Sequence, residues 1–486
     1  MNIPYHPRSC PEEKEPATGT GLKRLYAGTA DFRQRRVALA LGGWAELYWL
    51  EGMVRTERVN DYLLRPLATV PLGQDAAQSI LTGGVWTASV HKPQNLAAAA
   101  AALAEGSCAI WVEGALLLAS VPTEEKRGVE SPEDEPSQKG AKDAFVEAVR
   151  TNTSLVRRRL HTWRLKVKAV TVGRESRTAV EVVWIEGLTN PALVRRAVRR
   201  VEQMDVDALL NTQTLTDALT DGERTLFPLA LTTQRPDRFC AELMNGRVGV
   251  FCDGIPQGWL VPGTAVLSMR SPQDGDDQWI AVRMLSAVRY LCVLVSLLLP
   301  AGYIAMASFH FGLMPASLAE TISAARQNVP ISPPLEVVLL LLAFDILQEA
   351  GQRVPQLNGQ SVSIIGSLVV GQAAVDAKLL SPVVVVVVAA AGIAGFTLPD
   401  QSLANALRVL RLALAAAAGC FGVLGIILGL GWICGHMAGL ETMGVPWLAP
   451  FAPDVPKTPN GVTQVPVRQT KLRELFLRPL DKRNQR

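Results

Sequence analysis

Four stretches of this chain carry no Asp, Glu, Lys or Arg: Tyr290–Ala319, Val354–Val375, Leu379–Pro399 and Leu412–Leu440. A helix needs about 20 apolar residues to cross the ~30 Å hydrocarbon core of a bilayer, and each stretch has room for one. They follow a long region of ordinary globular composition. The pattern predicts an integral membrane protein with a large soluble N-terminal part.

Composition narrows the function classes. A formal net charge of +4 is too mild to suggest nucleic-acid binding. The cysteines (Cys10, Cys108, Cys240, Cys252, Cys292, Cys420 and Cys434) are scattered and contain no C-x-x-C pair, which indicates neither a zinc site nor a disulfide framework. A reducing compartment is expected for the soluble part. The five histidines are far apart, and no phosphate-binding loop, dinucleotide fingerprint or nucleophile elbow occurs. No catalytic, cofactor-binding or metal-binding residues are expected, and the chain is read as a non-enzyme.

The polar, proline-bearing N-terminus has no apolar core of a secretory signal, which places the soluble part in the cytoplasm. The C-terminal tail is rich in Lys and Arg, and such segments beside membrane helices stay on the same side. Both ends inside require an even number of spans. Five hydrophobic candidates exist, so one is expected not to cross. Pro334–Gly351 carries Glu336, Asp345 and Glu349 and is read as a re-entrant or interfacial helix; the other reading is a full span with acids at its ends.

Six segments follow. Residues 1–24 are expected to be disordered, and 25–122 to form a first α/β subdomain. Residues 123–142, rich in Glu, Pro, Ser and Lys, form a linker. Residues 143–285 form a second, α+β subdomain, 286–453 a membrane domain of four spans plus the odd helix, and 454–486 a basic cytoplasmic tail. Local signals include an alanine-rich helix at Leu96–Ala104 and a hairpin turning at Glu113–Gly114. Others are a helix over Asp143–Leu160, strands Trp163–Val170 and Ala179–Ile185, and a helix opened by Asn190–Pro191. The fold class is thus an α+β cytoplasmic N-terminal region of two small α/β subdomains, followed by an α-helical polytopic membrane domain.

The spans are expected near Ala287–Ala307, Val362–Leu379, Val383–Leu398 and Leu412–Cys434. Arg289, at the start of the first, is expected to snorkel to headgroups. Gly359, Ser363, Ser367 and Gly371 recur every four residues and form a small, partly polar stripe suited to close helix packing. With Gln360, Gln372 and Asp376 they are candidate pore or packing residues: either they line a cation path, or Asp376 and Lys378 mark the interface. In the last span Ala415, Ala418, Gly422, Gly425 and Gly429 are spaced 3-4-3-4, a left-handed packing seam whose partner lies in this chain or a neighbouring copy. Asp345, Glu349 and Arg353 lie one turn apart. They make either an intrahelical pair between Glu349 and Arg353 or a polar face turned to water.

Several segments together resemble the A subunit of bacterial spore germinant receptors. The strongest is GQSVSIIGSLVVGQAAVDAKLLSPVVVVVVAAAGIAGFTLP at Gly359–Pro399. Further matches are FHFGLMPASLAETISAARQNVPISPPLE, ILQEAGQRVPQLNGQ, GVPWLAPFAP, NTSLVRRRL, QRPDRFCAELMNGRVGVFCDGIP and RYLCVLVSLLLPAGYIA. Gln234 stands where the family usually has Glu in a Glu-Arg-Pro-Asp motif, which puts in doubt any salt bridge made there. The Arg-Gly-Pro segment after the linker is degraded to Lys139-Gly140-Ala141-Lys142. The resemblance implies a nutrient sensor of the spore inner membrane, partnered by a transporter-like B subunit and a lipoprotein C subunit. It further implies a homo-oligomer in membrane lipid that forms or gates a cation channel. A sporulation-stage paralogue tied to dipicolinate release, or a non-conducting signalling scaffold, is the alternative.

Overall fold

The computed structural model describes residues 15–40, 42–71, 73, 75–122, 135, 139–220, 222–327, 329–353, 372–455 and 470–484. The soluble part is two five-stranded antiparallel sheets. In the first, β1 (Phe32–Ala38), β2 (Trp44–Leu50), β3 (Val90–His91), β4 (Ser107–Val112) and β5 (Ala115–Ser120) take the order β1-β2-β4-β5-β3. Helix α1 (Leu96–Ala104), capped by Asn95, packs on it. The β4–β5 turn sets both Glu113 (φ 48°) and Gly114 (φ 78°) in the left-handed region, which Gly occupies freely and Glu does not.

The second sheet has β6 (Leu165–Val172), β7 (Thr178–Ile185), β8 (Leu231–Thr233), β9 (Val248–Cys252) and β10 (Gly258–Val261) in the order β6-β7-β9-β10-β8. Helices α2 (Val149–Arg159), α3 (Pro191–Glu202) and α4 (Pro236–Asn245) cover its faces. Asn190 caps α3 through its side chain, and Pro191 fills the first turn. The helix expected from Asp143 starts only at Val149. Asn152 holds the preceding segment out of the helix by bonding both the N–H and the carbonyl of Val146, at 2.8 and 2.6 Å. Phe145 therefore turns inward against Phe239 and Phe251.

From Trp279 to Gly439 the described residues are mostly helical. The elements are α5 (Trp279–Ser308), α6 (Ala316–Arg326), α7 (Pro333–Arg353), α8 (Pro382–Gly395), α9 (Gln401–Phe421) and α10 (Val423–Gly439). One core runs through them, including Leu297, Ala301, Val337, Leu341, Val384, Leu407 and Leu414. The expected span at Leu412–Cys434 is two helices. Gly422 (φ 60°, ψ −137°) takes a backbone geometry that suits glycine, and the chain folds back there. The 3-4-3-4 seam is thus the contact between α9 and α10. A Cβ on Gly425 would lie 2.2 Å from the Ala417 carbonyl oxygen, and one on Gly429 would lie 2.6 Å from Leu414 Cδ1. Gly425 and Gly429 therefore pack on α9 of the same chain.

Helix α7 has 21 residues, about 32 Å in length, and packs along α8 and α9. Pro334, near its start, lies by Gly419 at the end of α9, while its later residue Phe344 lies by Gly392 of α8. Glu336 is fully buried and accepts from the N–H of Ser381, so α7 and α8 begin at the same end of the bundle.

Candidate functional site: the ionic centre of the helix bundle

Helix α9 begins at Asp400, whose carboxylate accepts from the N–H groups of Ser402 and Leu403. With that start, Arg408 and Arg411 fall inside the helix instead of before it. Leu403, Leu407, Leu410 and Leu414 recur at helical spacing and face the core. Arg411 lies between Leu410 and Leu414 and is carried inward with them; its side chain is 3% exposed. A cation so placed among apolar helices is costly unless paired.

Asp345 of α7 supplies the pair. Its Oδ1 accepts from Arg411 Nη2 at 2.9 Å. The pair is held by one prong only, and Arg411 Nε has no hydrogen-bond partner. Beside it, Ser296 from α5, Phe344 and Gln348 from α7, and Arg408 from α9 wall a small cavity. Asp345 thus faces a neighbouring helix, not its own. Glu349 is exposed on α7, and Arg353 closes that helix. Gln372 and Asp376 lie exposed on one helical turn shortly before Ser381. Gly359, Gln360, Ser363, Ser367 and Gly371 lie outside the described residues, as does most of the span expected at Val362–Leu379. Among the described residues no group of His, Cys, Asp and Glu is placed to hold a metal.

The soluble part grips the bundle at both ends of its helical path. Arg289 does not snorkel: its two terminal nitrogens fork onto the Asp274 carboxylate, and Nη1 also reaches the Met269 carbonyl at 3.1 Å. Asp274 is available because Ser271 and Asp274 form a capping box on a short 3-10 turn. At the other end, His436 of α10 meets the Thr225 hydroxyl at 3.0 Å, and the Trp447 indole donates to the Pro228 carbonyl at 2.7 Å. The Trp447 carbonyl in turn accepts from Ala265 at 2.8 Å.

The tail returns to the second sheet. Glu474 is buried between Arg247 and Arg270, at 2.6 and 2.7 Å. Burial pushes its carboxyl up, but the two guanidinium groups outweigh this and hold it below the usual carboxylate range. Arg235, also buried, forks onto Asp237 at 3.0 and 2.6 Å. The Arg-Pro-Asp part of the motif therefore keeps its own ion pair beside Gln234. The linker's Glu135 accepts from Arg238 at 2.6 Å and Lys139 meets Asp277 at 2.8 Å, just ahead of α5.

Helices α5 and α9 are each long and apolar enough to cross a membrane, with mean hydropathy of 2.0 and 1.4. Apolar side chains also point outward: Met284 and Leu291 of α5 are exposed, as are Leu424, Ile427, Leu428 and Trp432 of α10. Outward apolar side chains of this kind suit lipid.

An antiparallel two-sheet unit joined to an apolar helix bundle with an ion pair between two of its helices defines the class of this chain. The model of the Bacillus/Clostridium GerA spore germination protein family matches residues 20–476, and the chain belongs to that family. It is 32% identical to "Uncharacterized membrane protein YfkQ" of Bacillus subtilis (strain 168), covering 89% of this chain and 85% of that one. It is also 32% identical to spore germination protein GerLA of Bacillus cereus, over 87% of each. A crystal structure of the N-terminal domain of the A subunit of the Bacillus megaterium spore germinant receptor GerK3 matches at 26% identity. It covers 50% of this chain and 92% of that one, with a TM-score of 0.39. Membership of this family supports a role in spore germination, and the apolar helices with a relative named as a membrane protein support membrane association.

Proposed function

We propose that this chain is the membrane subunit of a spore germinant receptor and that it forms or gates a cation-release path. It works without catalysis and without a cofactor. Its partners are a transporter-like B subunit, a lipoprotein C subunit and further copies of itself. It sits in the spore inner membrane with the two-sheet unit and the tail in the cytoplasm.

The observation that carries this reading is the pair between buried Arg411 and half-buried Asp345 in a bundle gripped at α5 and α10 by the two-sheet unit. A single-pronged pair between two helices has two accessible states, made and broken. A partner that binds one packing of the helices better than the other shifts the population between them. The stripe of Gly359, Gln360, Ser363, Ser367, Gly371, Gln372 and Asp376 is the proposed pore or packing face.

Planar-bilayer recording on the purified chain, with and without the B subunit, tests conduction. Cation currents are expected, and a silent bilayer in both cases would leave only a scaffold. In spores, Gly371→Leu and Ser367→Leu are expected to block potassium efflux. Wild-type efflux from both would remove the stripe from the mechanism.

A further inference from the structure

The cavity beside Arg411 has a volume of about 60 Å³ and lies between α5, α7, α8 and α9. Its polar wall holds the Arg408 and Arg411 guanidinium groups, which only donate, and the Ser296 hydroxyl and the Gln348 and Gln401 amides, which both donate and accept. No carboxylate lines it. Asp345 stands outside the lining and engages only Nη2 of Arg411. Arg411 Nε, in a side chain 3% exposed, has no partner. Arg408 makes no ion pair or hydrogen bond among the described residues. Two cations at the cavity thus meet one carboxylate. In an apolar bundle such an excess calls for a counter-charge.

The space is small by construction. Gly392 lets the Phe344 ring close one wall, since a Cβ there would lie 2.7 Å from the ring. A water needs about 10–15 Å³ of such space, so the cavity has room for several waters or for a halide or formate-sized anion.

We propose that this cavity is a binding site for a small monovalent anion of the halide or formate class. Arg411 Nε and the Arg408 guanidinium hold it, with the Ser296 hydroxyl as a third donor. The anion satisfies the orphaned N–H, balances the second cation, and stabilises the packed bundle by mass action. This site does not depend on the channel reading.

The test uses the full chain in phosphatidylcholine nanodiscs, with Tm followed as sodium formate or chloride replaces sodium gluconate at constant ionic strength. The expected result is a saturable rise in Tm with formate and chloride. In Arg408→Gln the half-saturating concentration is expected to rise at least tenfold, and in Arg411→Gln saturation is lost. If Arg411→Gln does not fold, Arg408→Gln and the anion series decide. Equal Tm in formate and gluconate, or an unchanged titration in Arg408→Gln, overturns the proposal. So does a Tm rise on adding phosphatidylglycerol to the discs with none from formate, which would make the ligand a lipid headgroup.

Discussion

Buried arginines are treated differently in the two halves of the molecule. Between the two sheets, Arg157 and Asp31 are each 1% exposed, and the guanidinium forks onto the carboxylate through Nε and Nη2. Nη2 also reaches the Leu165 carbonyl at 3.1 Å, and Thr29 donates to Asp31 at 2.8 Å. In the bundle, Arg411 holds Asp345 by one nitrogen beside a cavity. A forked pair braced by its surroundings fixes one arrangement of two subdomains. A single-pronged pair next to free space is the less constrained contact, the kind the proposed two-state bundle requires.

That contrast breaks first if the forked pair proves dispensable. Arg157→Met strands a buried carboxylate and is expected to destabilise the chain by about 3–5 kcal/mol, measured by denaturant melts in detergent micelles. Burial raises the Asp31 carboxyl, but the charge and hydrogen bonds of Arg157, with Thr29, hold it below the usual range. Its contribution is therefore present above the unfolded value of about 3.9 and is lost as pH falls through the lower folded value. Without Arg157 only hydrogen bonds from Thr29 and the Asp31 backbone oppose burial, the largest influence, so Asp31 takes its proton at higher pH. The cost of Arg157→Met is then greatest at neutral pH and shrinks towards pH 4. A cost that stays constant with pH would contradict the pairing.

The junction between the halves gives the next effect. Arg289→Met leaves Asp274 buried without its forked partner and is expected to cost about 1.5–3 kcal/mol. Amide exchange should rise at residues 265–275 and leave the first sheet unchanged. Exchange that rises uniformly would mean the junction is not a local hinge.

The smallest effect sharpens the account of the bundle. Gly425→Ala places a methyl against the backbone carbonyl of Ala417, which cannot move aside as a flexible side chain would, and is expected to cost about 1–3 kcal/mol. Gly431→Ala has nothing within 4 Å and is expected to be neutral or slightly stabilising, because Ala is favoured over Gly in a helix by about 1 kcal/mol. Equal melting of the two variants would place the α9–α10 contact elsewhere.

Local signals carried much of the soluble part. Asn190–Pro191 and Glu113–Gly114 mark their helix start and turn directly, because capping and turn chemistry act over a few residues. The sheet orders were not legible, since pairing β7 with β9 joins segments far apart in sequence. The start of the helix expected at Asp143 was set too early because Asn152, six residues after Val146, holds that residue's backbone out of the helix. In the bundle, reading spans as runs without charge excluded Arg408 and Arg411 by definition. The signal was present: Pro399–Asp400 opens a helix, and leucines at 403, 407, 410 and 414 set its buried face. Gly422 looked like one member of a seam because a glycine that packs and a glycine that turns are written alike.

The central claim is that Asp345 and Arg411 form a functional contact between α7 and α9. Potassium efflux from spores tests it through Asp345→Arg, Arg411→Asp and the double exchange. Each single change should abolish release with the protein still present in the membrane, and the exchange should restore a measurable part. Wild-type efflux from either single variant, or no recovery in a folded double variant, would contradict it.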